Sequence, residues 1–152
     1  MVLSLTVNGD RLSSAADPIT PLVDVLREDY HLTGVKPVCR EGFCGACMVL
    51  VDGSPTPSCL MPAALAEDCE IRTVEGLAVD GTLTPIQAAL ESCDAVQCGM
   101  YFHGMVVTLT HLLMTELGAT RDDIRAALTG NICRCTGYER IVEAALLAVA
   151  VR

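Results

Sequence analysis

Cys39-Arg-Glu-Gly-Phe-Cys44-Gly-Ala-Cys47, followed at a distance by Cys59, is the feature that most constrains this 152-residue chain. The C-x4-C-x2-C…C spacing is that of a [2Fe–2S] site. Four thiolates must hold two ferric ions and two sulfides, and three of the four come from one short loop that has to fold tightly. Gly42 and Gly45 permit the required dihedrals and let backbone N–H groups face sulfur. Such hydrogen bonds raise the reduction potential and make a site redox-active. Zinc is the competing reading, but zinc knuckles use closely spaced cysteine pairs. Here the first gap is four residues and the second pair lies inside the glycine-rich loop.

Nine cysteines in all, with no signal peptide evident, argue for metal binding in a reducing compartment rather than for disulfides. Met1–Asp10 lacks a basic leader and reads as a strand running into a turn, so the expected location is cytoplasmic. No apolar stretch reaches the roughly 18 residues of a membrane span. The net charge of −9 argues against a nucleic-acid partner. Hydrophobic residues make up 51% of the chain and the mean hydropathy is +0.45. So apolar a chain of this size is expected to devote part of its surface to an interface.

Periodicity divides the chain. Leu3, Leu5 and Val7 alternate with polar residues and predict a half-buried strand. Asn8-Gly9 turns it toward a partner at Arg11–Ser13. Thr20-Pro21 predicts a helix start, with Leu22, Leu26 and Tyr30 on one face. Met48–Val51 and the segment after Asp52-Gly53 predict a hairpin, and Glu70–Val74 a last strand. Beyond Gly81 the pattern is helical. Thr84-Pro85-Ile86-Gln87 is a capping box, with its helix running to about Ser92. A second helix is expected over Gly104–Leu117, with Met105 and the leucines as core. A third opens at Thr120–Asp123, and a fourth at a second capping box, Thr136 to Glu139. The predicted class is α+β, with a strand-rich domain over 1–76, a linker over 77–83 and a helical bundle over 84–152.

A second set of cysteines lies between these helices: Gln97-Cys98-Gly99-Met100 after the first, and Asn131-Ile132-Cys133-Arg134-Cys135-Thr136-Gly137-Tyr138 before the fourth. With Cys39–Cys47 and Cys59, these segments resemble the iron–sulfur subunit of the xanthine dehydrogenase, aldehyde oxidase and carbon monoxide dehydrogenase family of molybdenum hydroxylases. The resemblance covers nearly the whole chain. It implies a β-grasp, plant-type ferredoxin domain followed by a four-helix bundle, each with one [2Fe–2S] cluster. It implies a large partner subunit with molybdopterin and another with FAD. Electrons would run from molybdenum through both clusters to FAD, and Gln97 and Cys135 would lie near the pterin. The substrate site belongs to another chain.

Two positions depart from the family pattern. Val38 stands where a glycine often precedes the first cysteine. Tyr101 stands where the pattern has a cysteine, so Cys98, Cys133 and Cys135 are three thiolates for a cluster that needs four ligands. Tyr101, His103 and Cys93 are the candidates for the fourth. Cys69 and Cys93 otherwise read as small buried thiols. The rival from another class is a freestanding ferredoxin-like carrier, against which the helical half argues.

Overall fold

The computed structural model describes residues 2–151. Strands β1 (Leu3–Val7), β2 (Asp10–Ser14), β3 (Met48–Val51), β4 (Ser54–Pro57) and β5 (Glu70–Arg72) form one sheet in the order β2-β1-β5-β3-β4. β1 runs parallel to β5, and the other pairings are antiparallel. Both predicted hairpins form. Their turn residues, Asn8-Gly9 and Asp52-Gly53, all have positive φ, as tight two-residue turns require. Helix α1 (Leu22–Glu28) lies across the sheet and buries Leu22, Val23 and Leu26 against Leu3, Leu5, Val49 and Ile71. This is the β-grasp arrangement.

The chain then becomes helical: α2 (Pro85–Ser92), α3 (Phe102–Thr115), α4 (Arg121–Ala127) and α5 (Glu139–Ala150). Thr84 caps α2 as predicted, with its hydroxyl accepting from the Gln87 N–H while Gln87 Oε1 accepts from the Thr84 N–H at 2.9 Å. Thr120 and Asp123 cap α4 in the same way. The four helices enclose a second core that includes Ile86, Leu90, Met105, Leu109, Ile124, Ile141 and Val142. Each such side chain, fully buried, contributes about 1.5–3 kcal/mol.

Several details differ from the sequence expectations, and among them the last strand, expected over Glu70–Val74, ends at Arg72. Pro21 occupies the N-cap of α1, which starts at Leu22 without a side-chain cap, because the Thr20 carbonyl is taken by the Ala63 N–H at 2.9 Å. Tyr30 lies beyond the end of α1. The capping box at Thr136 and Glu139 does not form: the helix begins after Tyr138, and the Thr136 hydroxyl donates instead to Cys133 Sγ at 3.3 Å. Leu117 is 89% exposed, because α3 stops at Thr115 and the chain turns outward to Gly118.

The two halves are docked. Helix α3 packs on β3 and β4, and Leu50 from β3 belongs to the helical core. His111 Nδ1 lies 2.8 Å from the Gly53 carbonyl. This docking brings the two cysteine segments together. No helix among the described residues is long and apolar enough to cross a membrane.

Candidate metal centres

The Cys39–Cys47 loop is a backbone cradle. Arg40, Gly42 and Gly45 have φ of 57°, 69° and 73°, which turn successive N–H groups inward. The Glu41 N–H donates to Cys39 Sγ at 3.4 Å. That bond, helped by the N–H groups of Phe43 and Cys44, brings the Cys39 thiol down to about 7. Burial pushes Cys44 up, and pushes Cys47 up to about 12. Arg40 does not lie free beside the site, since it holds Asp24 through two 2.8 Å hydrogen bonds.

The thiols act on one another's protons: Cys44 helps to lower Cys39, and Cys59 and Cys44 help to raise Cys47. Among the described residues no three metal-ligating side chains converge on one point, as a single ion would require. Three thiols on the loop, with Cys59 acting on Cys47 from beyond β4, suit a two-iron cluster with four thiolates rather than a single ion. Iron bound beside Cys47 would supply the positive charge that stabilises its thiolate against burial, with the proton passing to solvent. In the iron-free chain Cys39 is half ionised near pH 7, and Cys47 stays protonated until far above it. Iodoacetamide at pH 7 is therefore expected to alkylate Cys39 roughly ten times faster than Cys47 or more, as peptide mapping would show.

The second segment is ordered by Tyr138. Its hydroxyl accepts from the Cys133 N–H at 2.8 Å and donates to the Asn131 carbonyl at 3.0 Å. Tyr138 itself is in the left-handed region, φ 67°, which a bulky residue occupies only when its surroundings hold it there. Burial raises the Cys133 thiol, but the hydroxyl and N–H of Thr136 outweigh it and the net shift is downward. Cys135 and Cys98 lie with their sulfurs 3.5 Å apart, a contact that raises Cys135. Replacing Tyr138 by phenylalanine strands the Cys133 N–H and the Asn131 carbonyl. A loss of about 1–2 kcal/mol is expected in thermal unfolding, with faster iron release from this segment.

Cys98, Cys133 and Tyr101 line one small cleft, together with Phe102, Met105 and Ile141. His103 lines a neighbouring cleft with Val74, Leu83, Leu90 and Val96. There burial, then the Lys36 charge, pushes its imidazole below the usual histidine range. Cys93 caps the end of α2 and packs partly buried against the helical core. Cys69, also partly buried, lies in the strand-rich half.

The two cysteine segments meet directly. The Ile132 N–H, next to Cys133, donates to the Cys44 carbonyl at 2.9 Å. Asn131 Nδ2 donates to the Gly45 carbonyl at 3.4 Å. Gly104, near the start of α3, lies so close that a Cβ there would overlap the Gly45 carbonyl oxygen. Sequence reasoning missed the parts played by Gly104, Ile132 and Tyr138. A glycine inside the α3 pattern was the one available signal, since a helix loses stability there unless close approach demands it.

Known proteins show the same assembly. The family described as 2Fe-2S iron-sulfur cluster binding domain matches residues 5–78, and that described as [2Fe-2S] binding domain matches residues 73–146. The xanthine dehydrogenase iron-sulfur-binding subunit of Escherichia coli O157:H7 is 45% identical over 148 residues, 96% of this chain and 92% of that protein. The chain belongs to the iron–sulfur small subunits of the molybdenum hydroxylases. The caffeine dehydrogenase subunit gamma of Pseudomonas sp. (strain CBB1) is 44% identical to this small subunit over 146 residues, 94% of this chain and 87% of that protein. Quinoline 2-oxidoreductase from Pseudomonas putida 86 contains a chain that superposes with a TM-score of 0.94 at 40% identity, covering 99% of this chain and 94% of that one. The small subunit therefore has two [2Fe–2S]-binding domains and an electron-transfer role within a multi-subunit oxidoreductase. The freestanding-carrier reading is set aside, since the relatives are subunits of complexes.

Proposed function

We propose that this small subunit carries electrons from a large molybdopterin subunit to an FAD subunit. Cys39, Cys44, Cys47 and Cys59 hold one [2Fe–2S] cluster, and Cys98, Cys133 and Cys135 contribute to the other. Each cluster, when bound, supplies a one-electron carrier. The observation that carries the reading is the 2.9 Å hydrogen bond from the Ile132 N–H to the Cys44 carbonyl, which joins one ligand residue directly to the neighbour of another, Cys133.

The faces of the chain suit this order. Gln97, Cys98 and Cys135 are exposed, so the second segment can meet a pterin bound by a partner. Cys44, Cys47 and Cys59 are buried, yet Val38, Phe43 and Leu60 around them are exposed at 42%, 66% and 59%. That apolar rim fits a protein docking surface toward the acceptor. The domain division 1–76, 77–83 and 84–152 is supported by the presence of two cores, although Leu50, Val74 and Leu77 pack into the helical one. Nine free thiols fit a reducing, cytoplasmic location.

Purifying the tagged chain from its native host tests the assignment of partners. Molybdenum, a pterin and flavin are expected to co-purify with iron and acid-labile sulfide. Zinc without sulfide, or a monomer with full iron content and no molybdenum-bearing partner, would overturn it.

A further inference from the structure

A [2Fe–2S] cluster requires four protein ligands, and the ligand segments of the helical domain carry only three thiols, Cys98, Cys133 and Cys135. The cleft bounded by Cys98 and Cys133 is completed by Tyr101, the residue just before α3. The other two candidates lie elsewhere: His103 lines the neighbouring cleft and Cys93 packs at the end of α2. The sulfurs of Cys98 and Cys135 are already paired at 3.5 Å, which leaves Cys133 as the thiol without a thiol partner.

We propose that Tyr101 is the fourth ligand of the second cluster, binding through its phenolate oxygen to the iron that Cys133 holds, while Cys98 and Cys135 hold the other. The inference rests on the electron-transfer reading above. On binding, the Tyr101 O–H bond breaks and its proton passes to solvent. One Fe–O bond would stand where the other domain would make its fourth iron–thiolate bond. Both irons remain ferric, and no electron moves in this step.

The ligand set makes the two irons unequal. Phenolate is a hard anionic donor and favours the ferric state more than thiolate does. The electron taken up on reduction therefore resides on the iron held by Cys98 and Cys135. That pair is exposed, and Cys135 is the ligand expected near the pterin. The same asymmetry lowers the potential of this cluster relative to one with four thiolates.

Resonance Raman spectroscopy of the full chain, grown with ring-deuterated tyrosine, tests the bond itself. Phenolate ring modes are expected on visible excitation, shifted by the label and absent in Tyr101→Phe. Tyr101→Cys should keep both clusters, lose the phenolate modes and move the second cluster's potential upward. Tyr101→Phe should lose the second EPR signal or sharply increase its lability. Unlabelled-like Raman spectra, or an unchanged second signal and potential in Tyr101→Phe, would overturn the proposal. So would a count near two irons per unmodified chain, the content of one cluster. The EPR signal of the Cys39–Cys59 cluster separates the two claims. If it persists and reduces normally while the Tyr101 results fail, the ligand assignment falls and the electron-transfer reading stands.

Discussion

Replacing Gly104 by valine is expected to leave no stably folded, two-cluster protein, and even Gly104→Ala should cost about 3 kcal/mol. A Cβ at this position overlaps the Gly45 carbonyl oxygen and lies 2.9 Å from its carbon, and both atoms are backbone. Neither can move without opening the Cys44–Cys47 turn. Alanine is the better helix former by about 1 kcal/mol, so propensity alone predicts stabilisation. The steric effect is larger and of opposite sign. Thermal unfolding of the alanine variant should show a lowered midpoint together with weakened iron retention in both segments, because Gly45 also packs on Asn131. A midpoint equal to or above that of the unmodified chain would show that the two halves do not meet here.

Substituting Cys44 by serine has the other large effect. Cys44 is buried and its carbonyl receives the Ile132 N–H, so the residue serves both the N-terminal site and the link to the second segment. Serine keeps the carbonyl and removes the sulfur. The expected result is loss or marked alteration of one EPR species, a fall of roughly two irons per chain, and retention of the other species. In the complex, reduction of the flavin by substrate should fall to background while the remaining cluster is still reduced. Unchanged visible absorption and EPR would remove Cys44 from the ligand set.

Local chemistry was legible in the sequence wherever it depends on neighbours along the chain. The alternation at Leu3, Leu5 and Val7, the turns at Asn8-Gly9 and Asp52-Gly53, the capping box at Thr84 and the helix start at Thr120 all involve residues a few positions apart. The cysteine spacing was legible for the same reason, since three thiols on one loop is a local pattern. Thr136 shows where this stops. Its box with Glu139 is well formed on paper, but the hydroxyl is drawn to Cys133 and the left-handed Tyr138 sets the start of α5 instead. Leu117 fits an apolar face that ends two residues too early to bury it. Gly104 against Gly45, and Ile132 against Cys44, join residues that are distant in sequence. Apart from the glycine itself at position 104, nothing local announces them.

Tyr138 adds a general point about the site. Its strained backbone costs on the order of 1–3 kcal/mol. The two hydrogen bonds of its hydroxyl offset much of that and fix Cys133 in return. The ligand segment is thus held by a side chain outside the cysteine pattern.

The most direct test of the two-centre electron-transfer account is spin quantitation by EPR during reductive titration of the intact complex, with iron counted in the same sample. The account predicts about four irons per chain and two distinct signals from this subunit, each integrating to one spin when fully reduced. A count near two irons, with a single signal that Cys44→Ser abolishes, would contradict it.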